Sequence, residues 1–199
     1  MDFFSLFFII VYFHWVNIKG MAMVRDTLLF LLGEMVMRNV RKSARILLIN
    51  ELDQLLLLQM KELLVKTEDT LPGEPVWFTA GGGLERGETF EEAARRELWE
   101  ETGFTDVKWG PLVWIREVDV LFRDLPTRFV EYYFVARTKE TKVKMDRFTL
   151  EEKEGYLSHH WWSIEELRMT NERIYPEKLA ELLAPILVGD FPETPLLIK

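Results

Sequence analysis

From Ser43 onward the chain alternates short apolar runs with polar breaks, the pattern of a domain in which strands and helices mix. Ala44–Asn50 (ARILLIN) and Leu55–Gln59 (LLLLQ) are runs of strand length. Glu51–Gln54 between them predicts a hairpin, with Asn50 and Asp53 as turn formers. Thr67–Pro75 reads as a loop, since it holds Pro72, Gly73 and Pro75. Val76–Thr79 is a brief strand that runs into Gly81, Gly82 and Gly83. Thr89 stands three residues before Glu92, the capping-box spacing, and opens a helix that should end near Gly103. Val107–Val120 and Phe129–Arg137 are longer strands rich in β-branched and aromatic residues. Thr138–Tyr156 is a charged connection and Leu157–Trp162 a short strand. Ile164–Met169 starts a helix with Ser163 as N-cap and Glu166 at N3. Pro176–Leu187 is the last helix, with Pro176 at a permitted first-turn position, and Pro192 and Pro195 mark an irregular tail. No repeat or linker divides residues 37–199, which read as one domain.

Residues 1–36 follow a different pattern. Phe3–Val16 is almost wholly apolar or aromatic, yet as a helix it spans roughly 21 Å, short of the ~30 Å hydrocarbon core of a bilayer. The chain opens with Asp2 where a secretory signal carries positive charge. Three readings stand: a membrane anchor, a helical extension packed on the domain or a partner, or a stretch absent from the working protein. Met21, Met23, Met35 and Met37 all offer later starts.

Composition narrows the function classes. The 199 residues carry a formal net charge of −8 and no basic stripe, which disfavours a long nucleic acid but not a nucleotide. An acidic protein that handles phosphates needs Arg, Lys or bound metal at its site. The absence of cysteine excludes disulfides, thiolate metal sites and a cysteine nucleophile, and fits a cytoplasmic location. With three histidines in the chain, a histidine-based metal site is disfavoured.

The predicted helix after Thr89 holds the strongest chemical signal. At ~100° per residue, Phe90, Ala93, Ala94 and Leu98 share its core side. Glu97 and Glu101 fall on that same side, Glu100 lies at its edge, and Glu92, Arg95 and Arg96 point largely away. The apolar stripe thus turns acidic over its last turn and a half. Like charges at i,i+4 repel, burial penalises each carboxylate, and negative charge at a helix C-terminus opposes the dipole. A hard divalent cation resolves all three penalties, and a solvated acidic end with Arg partners is the plain alternative.

The spacing extends this signal. Gly82-Gly83-Leu84-Glu85-Arg86-Gly87-Glu88, then seven residues, then Arg96-Glu97-Leu98-Trp99-Glu100-Glu101-Thr102-Gly103-Phe104 resembles the Nudix box, with every constrained position met. A looser resemblance runs from about Arg41 to the C-terminus and takes in Trp77-Phe78 and the segment His160–Leu167. Ala80 departs from it, since many members of that family carry proline before the glycines. The resemblance implies an α/β (α+β) fold, an α/β/α sandwich with a mixed β-sheet between helices. It implies a Mg2+-dependent hydrolase, with Mn2+ as the other ion, that cuts a diphosphate linkage in a nucleoside diphosphate derivative or nucleoside triphosphate.

The resemblance also assigns roles. Glu97, Glu100 and Glu101 would be metal ligands. Glu88 and Arg96 would be structural, Gly103 would end the helix, and Gly82 and Gly83 would let the backbone turn tightly near the phosphates. The general base would be Glu97, Glu100 or a glutamate of the distant Thr149–Gly155 segment, which offers Glu151, Glu152 and Glu154; Glu152 is the catalytic candidate there. Arg116, Arg123 and Arg128 are candidates for substrate phosphates, and Trp77, Phe129, Tyr132 and Tyr133 for stacking a base. Alternation along Phe129–Phe134 allows about half of those aromatics to face a ligand. The competing class is a non-catalytic nucleotide-binding regulator on the same fold, and such proteins tend to lose the box glutamates. The partners expected are a small nucleotide-type substrate, a second copy as a homodimer, and a membrane only through residues 3–16.

Overall fold

The computed structural model describes residues 39–61, 65–66, 73–144, 147–148 and 150–199, and for Lys66, Glu151 and Glu152 it describes the backbone alone. The apolar stretch Phe3–Val16, the rest of the proposed extension, and residues 67–72 of the predicted loop lie outside the described residues.

One mixed sheet organises the chain around its first strand. β1 (Asn39–Ile49) runs parallel to β6 (Leu125–Thr138) over its whole length, from Asn39 opposite Thr127 to Ile49 opposite Arg137. The predicted hairpin follows β1. The Asn50 Oδ1 accepts the N–H groups of Leu52 and Gln54 at 2.9 and 3.0 Å, and Asp53 takes a left-handed φ of 54°. β2 (Leu55–Lys61) then diverges from β1, and β4 (Pro75–Gly83) inserts into the gap. The first half of β4 pairs with β2 and its second half with β1, from Ser43 opposite Gly83 to Ile46 opposite Ala80. This switch brings Gly81–Gly83 to the centre of the sheet. β5 (Val107–Phe122) forms a long hairpin with β6, turned by Arg123 and Asp124, both at positive φ. β3 (Val65–Lys66) and β9 (Leu196–Ile198) add to β5, β7 (Tyr156–Trp162) adds to β2, and β8 (Ile174–Tyr175) adds to β4.

The period of two along β1 divides the core. Ala44, Ile46 and Leu48 pack on one face against Ala93, Ala94 and Leu98 of α1 (Phe90–Thr102). Leu47 and Ile49 pack on the other against Leu183 and Ile186 of α4 (Leu179–Leu187) and Leu167 of α3 (Ile164–Met169). The sheet therefore lies between helices, as expected.

Three expectations need correction. The glycines do not turn the chain after a short strand: β4 continues through Gly83, because Ser43–Ile46 supply ladder partners to that point. The connection Thr138–Tyr156 contains a helix, α2 (Leu150–Gly155), whose six residues are too few to give a helical period in the sequence. The last helix starts at Leu179, not Pro176. Pro176 follows a cis peptide, and Lys178 at φ 58° separates it from the helix.

Candidate active site

α1 is positioned from both ends. The Thr89 hydroxyl accepts the Glu92 N–H and the Glu92 carboxylate accepts the Thr89 N–H at 2.9 Å, a reciprocal capping box. Gly103 ends the helix at φ 74°, a left-handed conformation that costs glycine little, and donates to the Trp99 carbonyl at 2.9 Å. Between these ends Ala93, Ala94 and Leu98 lock one face onto the sheet. Glu97 and Glu101 stay on that face and are 6% and 9% exposed. The Glu100 side chain, at the edge, is 37% exposed.

Arg96 compensates these acids. Its Cα lies on the outer side of the helix, as the wheel predicts, but the side chain folds back across the acidic edge. Its Nε and Nη2 donate to the two oxygens of Glu88 at 2.9 and 3.0 Å. Nη1 donates to Glu97 Oε1 at 2.8 Å and Glu100 Oε2 at 3.0 Å, and Nη2 also reaches the Gly83 carbonyl at 2.9 Å. The fork of hydrogen bonds to Glu88 raises the Arg96 pKa further and holds Glu88 below the usual carboxylate range.

The glycines meet these side chains directly. Gly81 donates its N–H to Glu101 Oε2 at 2.6 Å. A Cβ on Gly82 would lie 2.3 Å from Glu97 Oε1, so the bare glycine leaves the space that the carboxylate fills. A Cβ on Gly83 would lie 3.1 Å from the Arg41 guanidinium. Gly82 and Gly83 thus act by leaving room beside an extended strand, not by bending it.

The donor set suits a hard divalent cation in kind: three carboxylates from adjacent turns, two of which already meet at one positive nitrogen, Arg96 Nη1. Glu101 turns toward Gly81, and among the described residues no three carboxylate or imidazole groups enclose a single cation position. Two carboxylates, water and substrate oxygens fit the habit of Mg2+, which keeps several waters and shares its shell with phosphates.

On the other side of Gly81 lies a basic cluster. Arg45 donates from Nη1 to the Gly81 carbonyl at 3.0 Å and from Nε to Glu131 Oε1 at 2.9 Å. Arg116 Nη1 and the Tyr133 hydroxyl donate to Glu131 Oε2 at 2.9 and 3.1 Å. The Arg116 Nε is buried with no acceptor among the described residues. Burial alone pushes the Glu131 carboxyl up, but the two guanidinium groups outweigh it and hold the carboxyl below its ordinary value. Burial and the Glu131 charge push the Tyr133 phenol well up. This cluster floors a cavity of about 120 Å³ walled by Phe78, Val118, Val120, Phe129 and Tyr175.

The other sequence candidates divide accordingly. Phe129 and Tyr133 face this cavity, whereas Tyr132 stacks on Phe90 at 3.8 Å on the opposite face. Trp77 is buried edge-on against Trp162. Arg128 is not brought to the glutamates. It forms a fork of two 2.9 Å hydrogen bonds with Asp119 on the exposed part of the β5–β6 hairpin. The Glu152 side chain lies outside the described residues, and Glu154 is exposed on α2. Sequence reasoning missed Arg41, Arg45 and Glu131. Their signal was legible: charges at Arg41 and Arg45 share parity with core-facing Leu47 and Ile49, and Glu131 sits between Phe129 and Tyr133.

A family model of the NUDIX domain matches residues 39–183. The chain is similar to phosphatase NudJ of Escherichia coli K12, with 53% identity over 38 residues, or 19% of this chain. That match spans a quarter (25%) of the relative's length. The fold is similar to a MutT protein from Methanosarcina mazei Go1, at 20% identity and TM-score 0.56, covering 78% of this chain and 97% of that one. It is also similar to a UDP-X diphosphatase, at 17% identity and TM-score 0.55, covering 87% and 74%. A third is an ADP-ribose pyrophosphatase from Streptococcus suis 89-1591, at 17% identity and TM-score 0.50, covering 80% and 98%. With most of its length matched by that family model and its sheet arranged as in these structures, the chain belongs to the Nudix hydrolase family.

Proposed function

We propose that this chain hydrolyses a diphosphate linkage in a nucleoside diphosphate derivative or a nucleoside triphosphate, with Mg2+ or Mn2+ held by Glu97, Glu100 and Glu101. One observation carries the reading. The buried face of α1 turns acidic where it meets the Gly81–Gly83 backbone, with Glu101 on the Gly81 N–H and Arg96 tying Glu88, Glu97 and Glu100 together. When bound, the cation would neutralise phosphate oxygens and acidify a water. The chain's own groups do the rest. Arg96 fixes the directions of Glu97 and Glu100 through one nitrogen, and Gly81 fixes Glu101. Glu100, the most exposed of the three, takes the proton of the incoming water. The neighbouring cavity of about 120 Å³, with its basic floor and aromatic walls, suits the edge of a base and not a whole nucleoside.

Two of the structures to which the fold is similar bear the names of a UDP-X diphosphatase and an ADP-ribose pyrophosphatase, and the linkage proposed here is of that class. The family match over residues 39–183 lies wholly within residues 37–199, the working unit in this reading, with residues 1–36 as a dispensable extension; the cytoplasm is the location that goes with it. A chain started at Met37 is then expected to be soluble and fully active, and an insoluble or inactive product would overturn that boundary. The activity itself is tested with nucleotide sugars, ADP-ribose, dinucleoside polyphosphates and oxidised deoxynucleoside triphosphates, each with Mg2+ and with Mn2+. Cleavage of at least one at its diphosphate linkage is expected, and no turnover across the set would contradict the reading.

A further inference from the structure

The guanidinium groups around the glycines differ in one respect. Arg96 has Glu88, Glu97 and Glu100 as partners, and Arg45 and Arg116 share Glu131. Arg41, at the start of β1, has no ion pair and donates no side-chain hydrogen bond among the described residues. Its guanidinium lies over the rings of Phe122 and Phe129, at 5.0 and 5.9 Å from their centroids. It rests against Gly83, whose missing side chain leaves just the space it needs. The surroundings add no anion at contact distance. Burial lowers the Arg41 pKa first, and the like charges of Arg45 and then Arg123 lower it too, against a weaker pull from Glu97 and Glu131. The charged end is therefore packed between two rings, partly stripped of water and beside other cations. An anion arriving there would relieve that cost.

The ligand class follows from the geometry. Arg41 opens onto a cleft of about 660 Å³ that also contains Lys42, Arg123, Gly83, Glu85 and Glu88. Of the two acids, Glu88 is neutralised by its fork with Arg96. A guanidinium packed between two aromatic rings keeps its N–H fork, and such a fork matches the paired oxygens of a phosphate. Gly82 and Gly83 are successive residues of one extended strand, so their missing side chains point to opposite faces, with the Glu97 carboxylate against the first and the Arg41 guanidinium against the second.

We propose that Arg41 is a substrate-binding residue that grips the diphosphate of the substrate across Gly82–Gly83 from the box glutamates. This rests on the diphosphate-hydrolase reading, and its test reads binding without metal. Inorganic diphosphate is titrated into the full-length chain by calorimetry, in chelator and low salt, for wild type, Arg41→Ala, Arg41→Lys and Arg128→Ala. Arg41→Ala should weaken binding by about tenfold or more, and Arg41→Lys by less, because it keeps the charge and loses the fork. Arg128→Ala should bind as wild type does, because that guanidinium is already held in a two-bond fork by Asp119. Should Arg41→Ala lower the unfolding midpoint, Arg41→Lys alone decides, by its loss relative to Arg128→Ala. Equal binding by wild type and the Arg41 variants would overturn the proposal. So would an equal loss in Arg128→Ala, or no binding by wild type. If Arg41-dependent binding is found and no substrate is hydrolysed with Mg2+ or Mn2+, the hydrolase reading fails while the Arg41 site stands.

Discussion

The N–H and the carbonyl of Gly81 are tied to clusters of the same chemistry and opposite balance. Its N–H donates to Glu101 in a group of four carboxylates served mainly by Arg96. Its carbonyl accepts from Arg45 in a group where two guanidinium groups share the single Glu131. The first cluster reaches the surface at Glu100, whereas Glu131 and Tyr133 of the second are buried. The acidic group opens to solvent at Glu100, and that opening is what a cation or a catalytic step would use. The buried group sets two guanidinium groups on one carboxylate. It fastens β1, β5 and β6 together at one register, which is work for stability. Access from solvent, more than the chemistry of the groups, distinguishes the site from the scaffold.

Substitutions that separate these roles should differ in size. Glu131→Gln removes the one anion between two buried guanidinium groups, and unpairing a buried charge typically costs about 3–5 kcal/mol. Urea unfolding should register that loss. Gly81→Ala comes next, because its Cβ would fall 2.1 Å from the Ala44 carbonyl oxygen at a φ of 131°. A loss on the order of 3 kcal/mol is expected for such backbone strain. Gly82→Ala tests the other cluster. Its Cβ meets the end of the flexible Glu97 side chain, so stability should change little while turnover falls by about a hundredfold, the scale of a 1 Å misplacement at a reacting centre. Thr89→Ala removes the capping box and should cost about 1 kcal/mol. Equal effects of Gly81→Ala and Gly82→Ala on both stability and turnover would erase the distinction between the clusters.

The pH dependence should follow the buried cluster. Glu131 has its folded-state pKa depressed, so its contribution is present above the ordinary carboxylate value of about 4.3 and is lost as pH falls through its lowered value. Between neutral pH and that acid range, the unfolding midpoint of wild type should fall more steeply than that of Glu131→Gln. Parallel curves would show that Glu131 is not the group responsible.

The acidic cluster was legible in the sequence because it is local. Helical spacing alone brings Glu97 and Glu101 onto the face of Leu98, and the capping residues Thr89 and Glu92 lie in the same short segment. The sheet was legible strand by strand for the same reason: turn residues such as Asn50 and Asp53 act on their immediate neighbours. The basic cluster was not legible as a cluster. Arg45, Arg116 and Glu131 meet through the pairing of β1, β5 and β6, and the bond between Arg45 and Glu131 spans 86 residues. A charge at a core-facing position signals that a partner exists without naming it. The substrate side of Gly82 and Gly83 was misread likewise, because a glycine that makes room and a glycine that turns look alike until the strand pairing is known.

The most direct test of the central claim is Glu100→Gln, assayed for Mg2+-dependent release of nucleotide or phosphate from the best substrate of wild type. Because Glu100 is half-exposed and shares Arg96 with two other carboxylates, the unfolding free energy should stay within about 0.5 kcal/mol of wild type. Metal-dependent turnover should be abolished. A folded Glu100→Gln chain that retains full turnover would contradict the account.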